Sequence, residues 1–186
     1  MSFLYLAKKT ELIIMHFFPD DIVCFTDGSR HQLHGCTGAS VYNQTESVEK
    51  IILLGKHSTI FQAEVCAILT CVQSLRTQQN QSIVICFDSQ AALKALQSPK
   101  ITSSLVADTV AKLQELSVFN SVRLLWVPGH FGVKGNKKAN AVAKRAAHSE
   151  FLSPEPAIGI PATTVCNEAQ QWATKEHFKS WRTIPF

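Results

Sequence analysis

The stretch Ile22–Ser29, IVCFTDGS, decides the fold. Its first four residues are apolar and favour β-structure without alternating, which is typical of a strand buried on both faces of a sheet. The run stops at Thr26 and gives way to Asp27, Gly28 and Ser29. A carboxylate at the end of a buried strand lies at the sheet edge where α/β proteins bind ligands.

Two later segments repeat this pattern. Ile83–Phe87 is a second continuous apolar run and ends in Asp88, and Val122–Val127 predicts a third buried strand that ends in a Pro-Gly-His turn at 128–130. In an open α/β sheet, the carboxyl ends of neighbouring parallel strands meet at one edge. We therefore expect Asp27 and Asp88 to converge there.

The segments between these runs predict the remaining elements. Two short strands, 38–42 and 48–54, fit a meander with the first strand. Apolar residues at helical spacing predict a helix within 59–79 and two more over 91–96 and 105–116, and a basic helix follows from about Gly135. This order of elements predicts an α/β sheet of mixed direction with five strands.

The chain length favours one compact domain with tails, because 186 residues are few for two large domains. We expect a leader or linker remnant over 1–19 and the domain over 20–149. Over 150–186 we expect a proline-marked linker and a short amphipathic helix that carries Trp172, Phe178 and Trp181. Hydrophobic residues make up 46% of the chain and charged residues 17%, so disorder of the whole chain is not expected.

The apolar stretch near the N-terminus does not predict a membrane span. Leu12–Phe18 is far shorter than the roughly 20 residues that cross a bilayer, and no small-residue cleavage site follows it. We expect an intracellular protein without a membrane partner, with nucleus and cytoplasm both left open.

The six cysteines include no Cys-x-x-Cys pair, so reduced structural thiols are favoured over disulfides or zinc.

Each candidate acid also has a purely structural interpretation. Asp27-Gly28 is a common hairpin dipeptide, and Asp88 before Ser89 could cap a helix. Glu64 lies at the edge of the apolar stripe of its helix, where a solvated glutamate is not normally placed. For each aspartate alone the structural interpretation is preferred. Two converging carboxylates, however, are costly unless a hard divalent cation joins them.

The net charge of +4 averages over an uneven distribution. The segment from His130 to His148 contains five cations and no acid, and these cations could neutralise phosphates. A solvated helix face is the commoner explanation of such a run. His130 itself could be an ordinary loop histidine, although it follows a strand end at the same sheet edge as the acids. The five cations are Lys134, Lys137, Lys138, Lys144 and Arg145.

Four ordered motifs identify a family resemblance. They are FTDGS at 25–29, QAE at 62–64, FDSQ at 87–90, and WVPGH at 126–130 with GN at 135–136. Residues 21–147 thereby resemble the ribonuclease H type I domain, especially the copies in reverse transcriptases of non-LTR retrotransposons. The resemblance implies a ribonuclease H-like α/β fold, whose five-stranded mixed sheet has helices on both faces.

The resemblance also implies an activity and its partners. The family hydrolyses the RNA strand of RNA/DNA hybrids as an endonuclease with two Mg²⁺ ions, and leaves 5′-phosphate products; Mn²⁺ is the alternative ion. The implied partners are an RNA/DNA hybrid and, in a longer retroelement protein, an upstream reverse-transcriptase domain. We expect the domain itself to be monomeric.

Site residues are implied by the matching motif positions. The implied catalytic residues are Asp27, Glu64, Asp88 and His130, of which the histidine assists proton transfer or product departure. The implied metal ligands are Asp27, Glu64, Asp88 and Asn140. The implied substrate-binding residues are Gly28, Ser29, Gln90, Lys134 and Lys137.

Asn140 departs from the family pattern, which usually has a fourth carboxylate at this position. An amide keeps a carbonyl oxygen that can bind a metal but lacks the negative charge, and Lys137 adds a cation one turn earlier. We expect weaker metal binding and reduced or manganese-favouring activity. The alternatives are a weakened or inactive nucleic-acid-binding module of the same fold, and a different enzyme on this fold such as an integrase or exonuclease.

Overall fold

The structure is a computed structural model that describes residues 4–6, 17–33, 35–129, 132–149 and 158–182. The chain divides into two compact units, Met1–Pro156 and Ala157–Phe186. The first unit contains all the elements that carry the candidate site.

A single sheet organises the first unit, and its strands lie in the order β1-β6-β5-β2-β3-β4. Strands β1, β6, β5 and β2 are parallel to one another, whereas β3 and β4 continue the sheet as an antiparallel meander. This arrangement confirms the mixed α/β fold. The strands are β1 (Leu4–Leu6), β2 (Asp21–Arg30), β3 (Thr37–Asn43), β4 (Val48–Gly55), β5 (Ser82–Phe87) and β6 (Ser121–Trp126).

The five predicted strands are all present, and β1 is a sixth that the sequence did not predict. It lies within the predicted leader and pairs in parallel with β6, from Leu4 opposite Val122 to Leu6 opposite Leu124. Three residues are too few to reveal a strand period. The strand forms by pairing with the open edge of β6, so it can be recognised only in the folded sheet.

Strand β2 is longer than predicted, and this corrects the expected end at Thr26. Its parallel pairing with β5 does end early, at Phe25 opposite Cys86. Its antiparallel pairing with β3 continues to Arg30 opposite Thr37. Asp27 therefore lies inside a strand but just beyond the last parallel pair, at the same edge where β5 ends.

Four helices complete the described part of the first unit. The first begins after Thr59, whose hydroxyl accepts from the Gln62 N–H at 3.1 Å while the Gln62 side chain accepts from the Thr59 N–H at 3.0 Å. This capping box fixes the first turn. The predicted helix over 59–79 is shorter in the structure. The helices are α1 (Ile60–Ser74), α2 (Gln90–Gln97), α3 (Ser104–Phe119) and α4 (Lys134–His148).

Helices α1 and α4 cover opposite faces of the sheet. Phe25 of β2 packs against Gly135 of α4, whereas Gly28, three residues later, lies against α1. Because side chains alternate along a strand, these two positions point to opposite faces. The prediction of helices on both faces is therefore confirmed.

Close packing brings α4 onto the sheet. A Cβ added to Gly135 would lie 2.1–2.6 Å from three ring carbons of Phe25, and one added to Gly38 would lie 2.4 Å from the Ala146 Cβ. The Ser40 hydroxyl donates to the Ala139 carbonyl of the same helix at 2.8 Å. Small residues at these contacts fix the position of α4 beside β2 and β3.

The second unit contains α5 (Ala162–Arg182). This helix has no buried residue, and Trp172, Phe178 and Trp181 are each more than 60% exposed. Among the described helices, none is both long enough and apolar enough to span a bilayer.

Gly135→Ala should lower the free energy of unfolding by about 1–3 kcal/mol, because overpacking the Phe25 ring outweighs the better helix propensity of alanine. Urea denaturation followed by circular dichroism measures the change. Ala141→Ser, at an exposed position of α4, is the control and should change stability by less than about 0.5 kcal/mol. Equal stability of Gly135→Ala and wild type would contradict the close packing.

Candidate active site

Three carboxylates from three elements meet at one edge of the sheet. Asp27 comes from β2, Glu64 from the first turns of α1, and Asp88 directly follows β5. One oxygen of each lies within 4.8 Å of the others. The convergence of Asp27 and Asp88 that the sequence predicts is thus present, and Glu64 joins them.

Gly28 allows Glu64 to reach this position. The place that a Gly28 Cβ would occupy is 2.8 Å from the Glu64 backbone nitrogen and 2.9 Å from the Ala63 Cβ. Any side chain at position 28 would push α1 away from β2. The missing side chain therefore lets a helix on one face of the sheet bring its acid beside Asp27.

Two of the three acids are almost fully buried. Asp27 is 3% exposed and Glu64 is 5% exposed, while Asp88 is half-buried. Burial, together with repulsion from Asp88, raises the pKa of Asp27 to about 7. Burial and repulsion from both aspartates raise the pKa of Glu64 to about 9. The nearby Lys144 ammonium and the Gly28 N–H act in the opposite direction on the pKa of Asp27.

Three buried oxygens of the site lack a hydrogen-bond donor. They are Asp27 Oδ2, Glu64 Oε2 and Asn136 Oδ1, and no other buried side-chain nitrogen or oxygen in the described part of the chain is without a partner. Unpartnered buried acceptors are costly, and a cation with hard-oxygen preference satisfies them. The donor set therefore fits a divalent cation such as Mg²⁺.

The surroundings of Asp88 come from the last residue of β6 and from the loop and helix that follow it. The Asn136 amide donates to Asp88 Oδ2 at 3.1 Å, and the Trp126 indole N–H donates to the Asp88 carbonyl at 2.9 Å. A Cβ on Gly129 would lie 3.1 Å from Asp88 Oδ2, so glycine lets the loop pass close to the carboxylate. Two hydrogen bonds thus hold Asp88 in place.

The cations of α4 divide into two groups. Lys138 and Arg145 both form ion pairs with Glu49 of β4, the lysine at 3.0 Å. Lys134, Lys137 and Lys144 are exposed and have no ion pair in the described ranges. The charges of Lys134 and Lys137, which the resemblance implies for substrate, are therefore available, and so is that of Lys144.

The structure describes all but one of the remaining predicted site residues. Gly28 and Ser29 are half-buried beside the acids, and Gln90 is exposed at the first residue of α2. Asn140 is half-buried in α4, one turn beyond Asn136. His130 falls outside the described residues.

A family model for RNase H matches residues 19–148, which is more than two thirds of the chain. The chain belongs to the RNase H family. Membership of the RNase H family supports nuclease chemistry of the ribonuclease H type and a divalent-metal requirement, and the cluster of Asp27, Glu64 and Asp88 provides ligands for such an ion.

Sequence reasoning missed the residues that support Asp88 in this RNase H domain. Asn136, Gly129 and Trp126 all lie within the motifs that reveal the family. The contact of Asn136 depends on how α4 packs, and those of Trp126 and Gly129 depend on the pairing of β6 with β5. The only local signal was their position next to a strand end. The three-dimensional arrangement was needed to connect them to an acid 38 to 48 residues earlier.

The stability of the metal-free protein should fall as pH rises from about 4 to about 9. Folding raises the pKa of Asp27 to about 7 and of Glu64 to about 9, so in this window the unfolded chain releases protons that the folded protein retains. Melting temperatures in EDTA at several pH values measure the decline.

Asp27→Asn is the matched variant for this prediction, because it removes one raised pKa and part of the repulsion on the other. It should make the decline with pH shallower, and Mg²⁺ should raise the wild-type melting temperature more at pH 8 than at pH 5. The same pH dependence in wild type and Asp27→Asn would contradict the assignment.

Proposed function

We propose that this RNase H domain is a metal-dependent endonuclease that hydrolyses the RNA strand of RNA/DNA hybrids and leaves 5′-phosphate ends. The observation that carries the proposal is the convergence of Asp27, Glu64 and Asp88 within 4.8 Å, with unpartnered buried oxygens on the first two. Family membership supports the same chemistry.

The three acids would hold the divalent ions, Mg²⁺ or Mn²⁺, with Asn140 as a weaker fourth ligand. Two such ions supply an activated water and stabilise the leaving oxygen in phosphodiester hydrolysis. The buried Asp27 and Glu64 contribute hard oxygen ligands in a site of low dielectric, where their charge attracts a cation strongly. His130 would move a proton or help the product leave.

Substrate binding is proposed for residues on either side of the acids. Gly28 and Ser29 follow Asp27 on β2, and Gln90 begins α2 directly after Asp88-Ser89. Contacts of this kind to the 2′-hydroxyls of the RNA strand distinguish RNA from DNA. The unpaired ammonium groups of Lys134 and Lys137 would neutralise phosphates of the hybrid.

The origin and setting of the domain are further parts of the proposal. The motifs resemble those of non-LTR retrotransposon copies, so we propose a retroelement-derived protein with an upstream reverse-transcriptase domain as its partner. The domain would act as a monomer inside the cell.

A second candidate function is a catalytically inactive module that binds nucleic acid through the same surface. The observation that favours it is the amide at Asn140, which removes a negative charge where the family usually has an acid. The retained acids Asp27, Glu64 and Asp88 favour the enzyme.

Asp88→Asn should abolish cleavage of an RNA/DNA hybrid, because it removes the charge of one metal ligand while keeping its size. The purified chain is incubated with end-labelled hybrid in Mg²⁺ or Mn²⁺, with duplex DNA and duplex RNA as comparison substrates. Asp108→Asn, the same change at an exposed position of α3, should cleave the hybrid like wild type.

Cleavage by wild type and Asp88→Asn alike would assign the activity to a contaminant. Binding of the hybrid without cleavage by any variant would favour the inactive module.

Asn140→Asp should raise the rate of hybrid cleavage in Mg²⁺ about tenfold or more, because it restores a charged ligand of the kind that the family usually has. The ratio of the Mn²⁺ rate to the Mg²⁺ rate should fall at the same time. Initial rates at several concentrations of each ion measure both effects, and Asn140→Ser serves as the uncharged control. An unchanged rate in Mg²⁺ would remove Asn140 from the metal site.

A further inference from the structure

Asn136 connects α4 to the carboxylate cluster. Its Nδ2 donates to Asp88 Oδ2 at 3.1 Å, and the residue is only 6% exposed. Because an ionised carboxylate only accepts hydrogen bonds, the amide must present its nitrogen to Asp88. The interaction therefore fixes the orientation of both side chains.

The other end of the same amide is unsatisfied. Asn136 Oδ1 is buried and has no donor, like Asp27 Oδ2 and Glu64 Oε2. Asn120, equally buried at 6% exposure, shows what a structural asparagine does in this protein. Its Nδ2 donates to the Gln78 and Leu116 carbonyls, and its Oδ1 accepts from the Gln81 N–H.

Helix capping does not explain Asn136. The residue preceding α4 is Val133, which makes no side-chain cap, and the single hydrogen bond of the Asn136 side chain goes to Asp88. Gly135, its neighbour, is pressed against the Phe25 ring. The packing of α4 on β2 thus places an amide against Asp88 without using that amide to cap the helix.

We propose that Asn136 is a positioning residue for the metal centre. Its Nδ2 holds Asp88 Oδ2 in the arrangement that receives a divalent cation, and its Oδ1 accepts a hydrogen bond from a water molecule that enters with the cation. This role rests on the proposed metal-dependent function and adds a residue that the sequence does not assign.

Only an amide of this length fits the role. Aspartate at position 136 would replace the donor by a second charge and repel Asp88, and a shorter side chain could not span the distance. Hydrogen bonds to metal-binding carboxylates typically contribute 10- to 100-fold to metal affinity. We therefore expect the effect of losing Asn136 to appear in metal affinity more than in folding.

The test measures the Kd for Mg²⁺ by isothermal titration calorimetry on the full chain. Asn136→Ala should raise this Kd about tenfold or more. Asn136→Ser, which keeps a small polar group in the buried position, should raise it similarly and is the second variant if alanine lowers stability too far. Circular dichroism establishes that each variant is folded.

Asn120→Ala is the matched control, since it removes an equally buried asparagine far along the chain from the acids. It should lower the melting temperature without changing the Kd for Mg²⁺. If folded Asn136→Ala or Asn136→Ser binds Mg²⁺ with the wild-type Kd, the role of Asn136 is overturned. The proposed function is not contradicted by that result. Wild-type protein that binds no Mg²⁺ contradicts the proposed function as well.

Discussion

The mutual repulsion of three carboxylates at one sheet edge is the constraint on which the rest of the structure depends. Two like charges about 5 Å apart cost on the order of 3 kcal/mol at an effective dielectric constant of about 20. Asp27 and Glu64 also lose most of their hydration, because both are more than nine-tenths buried. The domain nevertheless holds these acidic groups together, and a divalent cation between them would relieve their repulsion.

The fold creates this arrangement through close contacts between the helices and the sheet. Strand β2 leaves its parallel partner after Phe25 but continues with β3, so Asp27 stays in a rigid strand beyond the end of the parallel pairing. Gly28 lets α1 approach with Glu64, and Gly135 lets α4 approach with Asn136. These two glycine contacts, on opposite faces of the sheet, therefore set how closely α1 and α4 approach β2. They also set how closely Glu64 and Asn136 approach the acidic cluster.

Much of this could be predicted from the sequence, because buried parallel strands have a strong signal. The apolar runs before Asp27 and Asp88 predicted two central strands and a shared edge, and the motif spacing added Glu64. Contacts that depend on how particular edges and helices pack could not be predicted. The strand Leu4–Leu6 depends on the free edge of β6, and the contact of Asn136 with Asp88 depends on how α4 packs.

Membership of the RNase H family and the chemistry of the cluster lead to the same central claim, that Asp27, Glu64 and Asp88 form a divalent-metal centre. Crystals of the chain soaked in Mn²⁺ test it most directly, through anomalous diffraction recorded above the manganese absorption edge. Anomalous peaks bounded by these three carboxylates are expected. A map with manganese only at surface acids such as Glu115, and none between the three carboxylates, would contradict it.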